Sequence, residues 1–144
     1  MKKLWLSIGS SMAAVFVVAQ FFQPPPILSP RSNAGHNLLT DTKLPPKVHA
    51  ILERSCVDCH STSVDLPWYG HISPVSWYVA GHIRLGRKKL DFSDWPQNDY
   101  GLRQNVADAI DDRSMPLRSY CWVHRNATLS ATEIKVLEAW ADTP

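Results

Sequence analysis

The sequence is short of several things. Cysteine occurs three times in 144 residues, too seldom for a disulfide-stapled mini-protein. Charged residues make up 19% of the chain and the formal net charge is only +2. Lys2, Lys3 and Arg31 supply three of the 15 cations, so from Ser32 onward 12 Lys and Arg face 13 Asp and Glu, a net of −1. A basic nucleic-acid-binding surface is therefore excluded from the expectation. No stretch alternates apolar and polar residues as a half-buried strand does. Internal repeats are also missing. What is present is 44% hydrophobic residues, with six Trp. That is enough to bury a core in one domain, which excludes intrinsic disorder.

Lys2-Lys3 followed by the uncharged run Leu4 to Phe22 has the pattern of an export segment. The run exceeds the roughly 7–15 apolar residues of a cleavable signal and approaches the roughly 20 that span a bilayer. An uncleaved anchor is favoured, and cleavage after Ala19 is the competing reading. Positive charge at the start keeps that end cytoplasmic and sends the remainder outward. Residues 1–23 are thus expected to be a signal anchor or signal peptide. Residues 24–44 read as a proline-rich, then polar, linker with His36 solvated, and 45–144 as the folded domain. Proline lacks a donor and disfavours helix in the residue before it, so Pro24 to Pro30 reads as a stiff extended spacer.

The folded part is expected to be all-α. Pro45-Pro46 suits a helix start, with Val48, Ile51, Leu52 and Ser55 at helical spacing. Ser73-Pro74 reads as a cap and first position of a second helix, reaching about Lys89, with Trp77, Gly81 and Leu85 on one face and Gly81 permitting close packing. A third helix is expected from Gln97 to Asp112, with Leu102, Val106 and Ala109 or Ile110 as its stripe. Ser130 to Glu133 is a capping box opening the last, whose apolar face is Ile134, Leu137, Trp140 and Ala141.

Cys56-Val57-Asp58-Cys59-His60 carries the chemistry. Two thiols three positions apart suit addition to the two vinyl groups of a haem, and the following histidine then lies beneath the iron as proximal ligand. Three rivals share the residues. A dithiol redox site expects a strand-to-helix context. A zinc site would recruit Cys121 and His124 and leave His60 without a role. A Cys56–Cys59 disulfide would strain so short a loop. For a sixth ligand, Met115 is the only methionine outside the leader and stands before Pro116 in a loop; His71, His82 and His124 are the alternatives. Trp68, Tyr69, Trp77, Trp95 and Trp122 are candidate walls for a porphyrin. Arg84, Arg87, Lys88 and Lys89 suit propionates, an acidic partner or simply a solvated helix end.

The chain resembles the bacterial haem-binding-domain proteins, small membrane-anchored relatives of c-type cytochromes. The resemblance runs through the anchor with Gln20 and its proline-rich exit, Arg54 to Ser61, Leu66-Pro-Trp-Tyr69, Ile72-Ser-Pro-Val-Ser-Trp77, Gly86 to Trp95, Met115-Pro116 through Tyr120, His124, and Leu129-Ser130. It implies a small cytochrome c-like helical domain, one covalently attached haem c, Cys56 and Cys59 for attachment, His60 for the iron and Met115 as distal ligand. Cys121 departs from the family pattern: it reads as a small buried group or as a thiol that pairs between chains. The expected function is single-electron transfer with redox partner proteins, outside the cytoplasmic membrane, by a non-enzyme tethered through its N-terminal anchor. The alternative is a haem-based sensor with a weak or open distal position.

Overall fold

The computed structural model describes residues 2–27, 36–64 and 66–143. The spacer reading over Leu28 to Pro30 and the start of the polar linker to Gly35 lie outside the described residues. Among those described, the chain forms helices and short 3-10 turns, with no strand beyond one isolated bridge between His36 and Trp95. The all-helical expectation is met.

Helix α1, Lys2–Ala19, buries none of its residues. Its 18 residues rise about 27 Å, close to the roughly 30 Å hydrocarbon thickness of a bilayer. Three successive i→i−3 bonds tighten the chain through Gln20, Phe21 and Phe22, and the prolines then hold it extended.

Helix α2, Pro46–Ser55, buries Val48, Ile51, Leu52 and Ser55, the stripe its periodicity predicts. One turn, α3, Val57–His60, follows directly. Helix α4, Val75–Lys89, differs from expectation: it buries Ser76, Ala80, Ile83, Gly86 and Arg87, while Leu85 is 62% exposed and a β-carbon on Gly81 would touch nothing. The small residues of the buried face let α3 pack close against α4. Ser73 does not cap α4 either; its hydroxyl donates to the Phe22 carbonyl at 2.9 Å.

Helix α5, Tyr100–Asp111, starts three residues later than the pattern suggests. Asp99, just before it, accepts from Trp95 Nε1 at 2.8 Å and Arg103 Nε at 3.1 Å. A short helix the periodicity did not reveal, α6, spans Arg118–Val123. Helix α7, Ala131–Ala141, opens with the expected capping box of Ser130 and Glu133. It packs on α5 and α2, and Arg54 pairs with Glu133 at 2.8 Å across that junction.

The core is built from Val48, Ile51, Leu52, Val57, Phe92, Trp95, Val106, Ile110, Leu137 and Trp140, joined by Leu38 and Leu44. Those last two belong to the segment read as polar linker. His36, expected in solvent, is half-buried and exchanges two backbone bonds of 2.8 and 2.9 Å with Trp95.

Candidate functional site

Cys56, Cys59 and His60 are gathered by α3. The Cys59 and His60 amides both donate to the Cys56 carbonyl, at 3.2 and 3.0 Å, closing the turn. All three thiols are free. Burial and the facing Cys59 push the Cys56 thiol up to about 12. Burial and the adjacent Asp58 push Cys59 up to about 11. Both stay neutral thiols near pH 7.

His60 is 9% exposed. Its Nδ1 lies 2.9 Å from the Leu90 carbonyl, just past the end of α4. A carbonyl only accepts, so Nδ1 carries the hydrogen and Nε2 keeps its lone pair for a metal. Burial lowers the pKa of His60, against the opposing effects of the Leu90 bond and Asp91, which keeps the ring neutral. The Phe92 ring stands 5.9 Å away, tilted by 44°. From the other side α4 presents Gly86, where a β-carbon would come within 3.0 Å of the Cys59 carbonyl and 3.4 Å of His60 Cε1. Only a glycine lets this helix lie so near the motif.

Three adjoining cavities of about 340, 350 and 510 Å³ open around these groups. The middle one is lined by Cys56, Cys59, His60, Met115, Pro116 and Tyr120, among others. The largest carries Cys56, His60 and Met115 on toward Phe92, Val106 and Ile110. The third continues from Cys59 and Tyr120 to Tyr69, Val79 and Ile83. Most lining groups are apolar, as a flat aromatic ligand requires.

Met115 reaches this space through a reversal at the end of α5. Arg113 takes a left-handed φ of 59°, the Ser114 amide donates to Asp112 Oδ1 at 2.8 Å, and the Met115 amide returns to the Ala109 carbonyl at 2.9 Å. Of the alternative ligands, His82 lines the middle cavity, with Nδ1 against the Tyr78 carbonyl at 3.0 Å. His71 lies elsewhere, beside Gln20 and Pro24. His124 Nε2 meets the Tyr69 hydroxyl at 2.5 Å, and its ring stacks on Tyr120 at 4.3 Å.

The tryptophan walls do not hold. Trp68 and Trp122 are 76% and 77% exposed and Trp77 is 48% exposed, while Trp95 is sealed in the core near Trp140. Of the five aromatics named from sequence, Tyr69 alone lines these three cavities. Leu117 and Tyr120 take that part instead, delivered by the unforeseen α6 and the residue before it. Tyr120 also donates to Asp58 Oδ2 at 2.6 Å, and burial together with that bond raises its pKa. The basic cluster divides: Lys89 lines two of the cavities, whereas Arg84 and Arg87 bond to the Pro25 and Ile27 carbonyls.

The zinc tetrahedron does not form: among the described residues no group of three or more Cys, His, Asp or Glu is placed to hold a metal ion. The strand a dithiol oxidoreductase requires is likewise missing among the described residues. A helical domain with paired thiols, an imidazole keeping Nε2 for a metal, and an apolar cleft over both is of the class that encloses a porphyrin. The chain belongs to the family described as "Haem-binding domain", whose model matches residues 14–143. Searches of curated proteins and of solved structures return no match.

Proposed function

We propose that this haem-binding domain holds one haem c covalently and passes single electrons on the outer side of a cytoplasmic membrane. The observation that carries the reading is the His60 to Leu90 hydrogen bond, which ties the Cys-x-x-Cys-His turn to the end of α4. It fixes the tautomer whose Nε2 suits iron while both thiols stand free on the same cavity.

The residues present fit the group. Each thiol, Cys56 and Cys59, would add across one vinyl: the S–H bond breaks, an S–C bond forms, and the hydrogen ends on the neighbouring vinyl carbon. His60 would supply the proximal nitrogen and Met115 the distal thioether, which favours the ferrous state relative to a second imidazole. Bound there, haem supplies a reversible one-electron couple. The chain contributes the rest: apolar burial, a neutral imidazole held by Leu90, Lys89 beside the cleft, and the Tyr120–Asp58 bond that ties α6 to the attachment turn. The protein is a carrier rather than an enzyme, and its redox partners dock where the cleft opens. Helix α1 is apolar enough to cross a membrane, and Lys2 and Lys3 direct its start to the cytoplasm.

The test is an optical spectrum of the full chain, made in cells competent in cytochrome maturation, reduced and converted to its pyridine adduct. A c-type band is expected. A b-type band, with haem extractable into acidified organic solvent, would contradict covalent attachment.

A further inference from the structure

The chain that leaves α1 does not float away from the folded domain. The Gln20 side chain pairs with Ser73 in both directions: its Nε2 donates to the Ser73 carbonyl at 3.1 Å, and its Oε1 accepts from the Ser73 amide at 3.0 Å. The Phe22 carbonyl accepts from Ser73 Oγ and from Trp77 Nε1, each at 2.9 Å. Farther along, the Pro25 carbonyl accepts from Arg84 at 2.8 Å and the Ile27 carbonyl from Arg87 at 2.7 Å.

These contacts share a register. Trp77, Arg84 and Arg87 are spaced seven and three apart, so they lie on one face of α4. Their ten residues of helix rise about 15 Å, and the five residues from Phe22 to Ile27 span about 16 Å in the extended conformation that the prolines impose. Each strap carbonyl therefore meets the next donor on the helix without stretching. Proline suits such a strap because it gives up no carbonyl and its own missing N–H leaves nothing unsatisfied.

We infer that residues 20–27 act as a splint that presses the start of α4 onto the membrane, so that Phe21, Phe22 and Trp77 rest in the headgroup layer of a lipid bilayer. This rests on reading α1 as a membrane anchor. Phe21 and Phe22 follow the end of α1 by two and three residues and are 83% and 66% exposed; Trp77 is 48% exposed although hydrogen-bonded to Phe22. The indole of Trp77, with an apolar body and a polar N–H, belongs at the membrane–water boundary, and the apolar rings of Phe21 and Phe22 bury beside it at the headgroup–acyl boundary. The bonds to Ser73 and Trp77 allow that end of α4 no other place once α1 is inserted. Gly86, which cradles His60, then sits about 14 Å farther along α4 than Trp77, so the splint sets how far the Cys56–His60 site stands from the lipid contact along that helix.

The test uses the full chain, labelled with 5-fluorotryptophan, in lipid nanodiscs containing a gadolinium-chelate headgroup lipid, with the lanthanum chelate as diamagnetic reference. Trp5→Phe and Trp77→Phe assign the two 19F signals that matter. Both are expected to broaden with gadolinium, Trp5 because α1 spans the bilayer and Trp77 because it touches the headgroups. Gln20→Ala with Ser73→Ala, which removes the Gln20 side-chain bonds and the Ser73 hydroxyl bond that hold the start of α4 to the strap, is expected to reduce the Trp77 broadening severalfold and leave that of Trp5 unchanged. A broadened Trp5 beside a sharp Trp77 would overturn the splint and keep the anchor. A sharp Trp5 would overturn the anchor and the splint with it. Trp77 broadening unaffected by Gln20→Ala with Ser73→Ala would overturn the splint, because the contact would then not depend on the strap.

Discussion

Gly86 and Cys59 touch backbone to backbone: a β-carbon on residue 86 would stand 3.0 Å from the Cys59 carbonyl oxygen. Glycine inside a helix ordinarily costs about 0.5–1 kcal/mol relative to alanine. The two helical glycines of α4 should therefore respond with opposite signs. Gly81→Ala, with open space around its β-carbon, should raise stability by about 0.5–1 kcal/mol. Gly86→Ala must push α3 from α4 and should lower it by about 1–3 kcal/mol, with reduced haem incorporation. Urea denaturation of the two variants checks the pair; equal effects would remove the close approach from the account.

Asp99 answers two buried donors at once, Trp95 Nε1 and Arg103 Nε. Trp95 is fully buried and Arg103 is 8% exposed, and Arg103 also donates to the Trp140 carbonyl. Asp99→Ala leaves a buried guanidinium without its carboxylate, an effect on the order of 3–5 kcal/mol. Chemical denaturation should show a loss of that size, and a loss under about 1 kcal/mol would mean that water replaces the carboxylate.

Glu133 closes the capping box of α7, accepting from the Ser130 amide and hydroxyl at 2.8 Å each. These bonds, with Arg54 adding to them, hold its pKa below the ordinary 4.5. A depressed carboxylate pKa stabilises the fold above the unfolded value, and the gain disappears as pH falls through the folded value. Glu133→Ala should thus cost about 1 kcal/mol near pH 7, and the gap to the parent protein should narrow as the pH drops below 4.5. Thermal melts across that range check it. A gap that widens in acid would contradict the assignment.

Met115 and His82 both line the middle cavity with His60, so under the proposed haem site either would be placed to serve as the distal ligand. Met115→Ala should abolish the near-infrared sulfur-to-iron band of the oxidised protein, lower the reduction potential and admit carbon monoxide to the ferrous form. His82→Ala should leave all three unchanged. Survival of the band in Met115→Ala would end the thioether assignment.

Local rules made part of this molecule legible. The Val48, Ile51, Leu52 and Ser55 stripe and the Ser130 to Glu133 box depend on near neighbours in sequence, and the structure reproduces both. The Cys56 to His60 motif is legible for the same reason, since one turn of helix gathers it. Helix α4 was legible as a helix to Lys89, but its buried face was not, because apolar side chains lie on more than one of its faces. The choice went to Ala80, Ile83 and Gly86, which admit α3, and left Trp77 to the strap. The Leu90 carbonyl carries no side-chain signature, so its hold on His60 emerges only when the chain past α4 folds back. Trp95 and the cavity-lining Tyr120 are both aromatic. Their separation into core and cleft depends on Asp99 and Asp58, residues whose partners lie four and 62 positions away.

The most direct test of the central claim is the intact mass of the full chain expressed with a cytochrome maturation system and measured after denaturation. The account predicts the polypeptide plus one haem, and a loss of that addition in Cys56→Ser with Cys59→Ser. A mass equal to the amino acids alone, from cells that load a control c-type cytochrome, would contradict it.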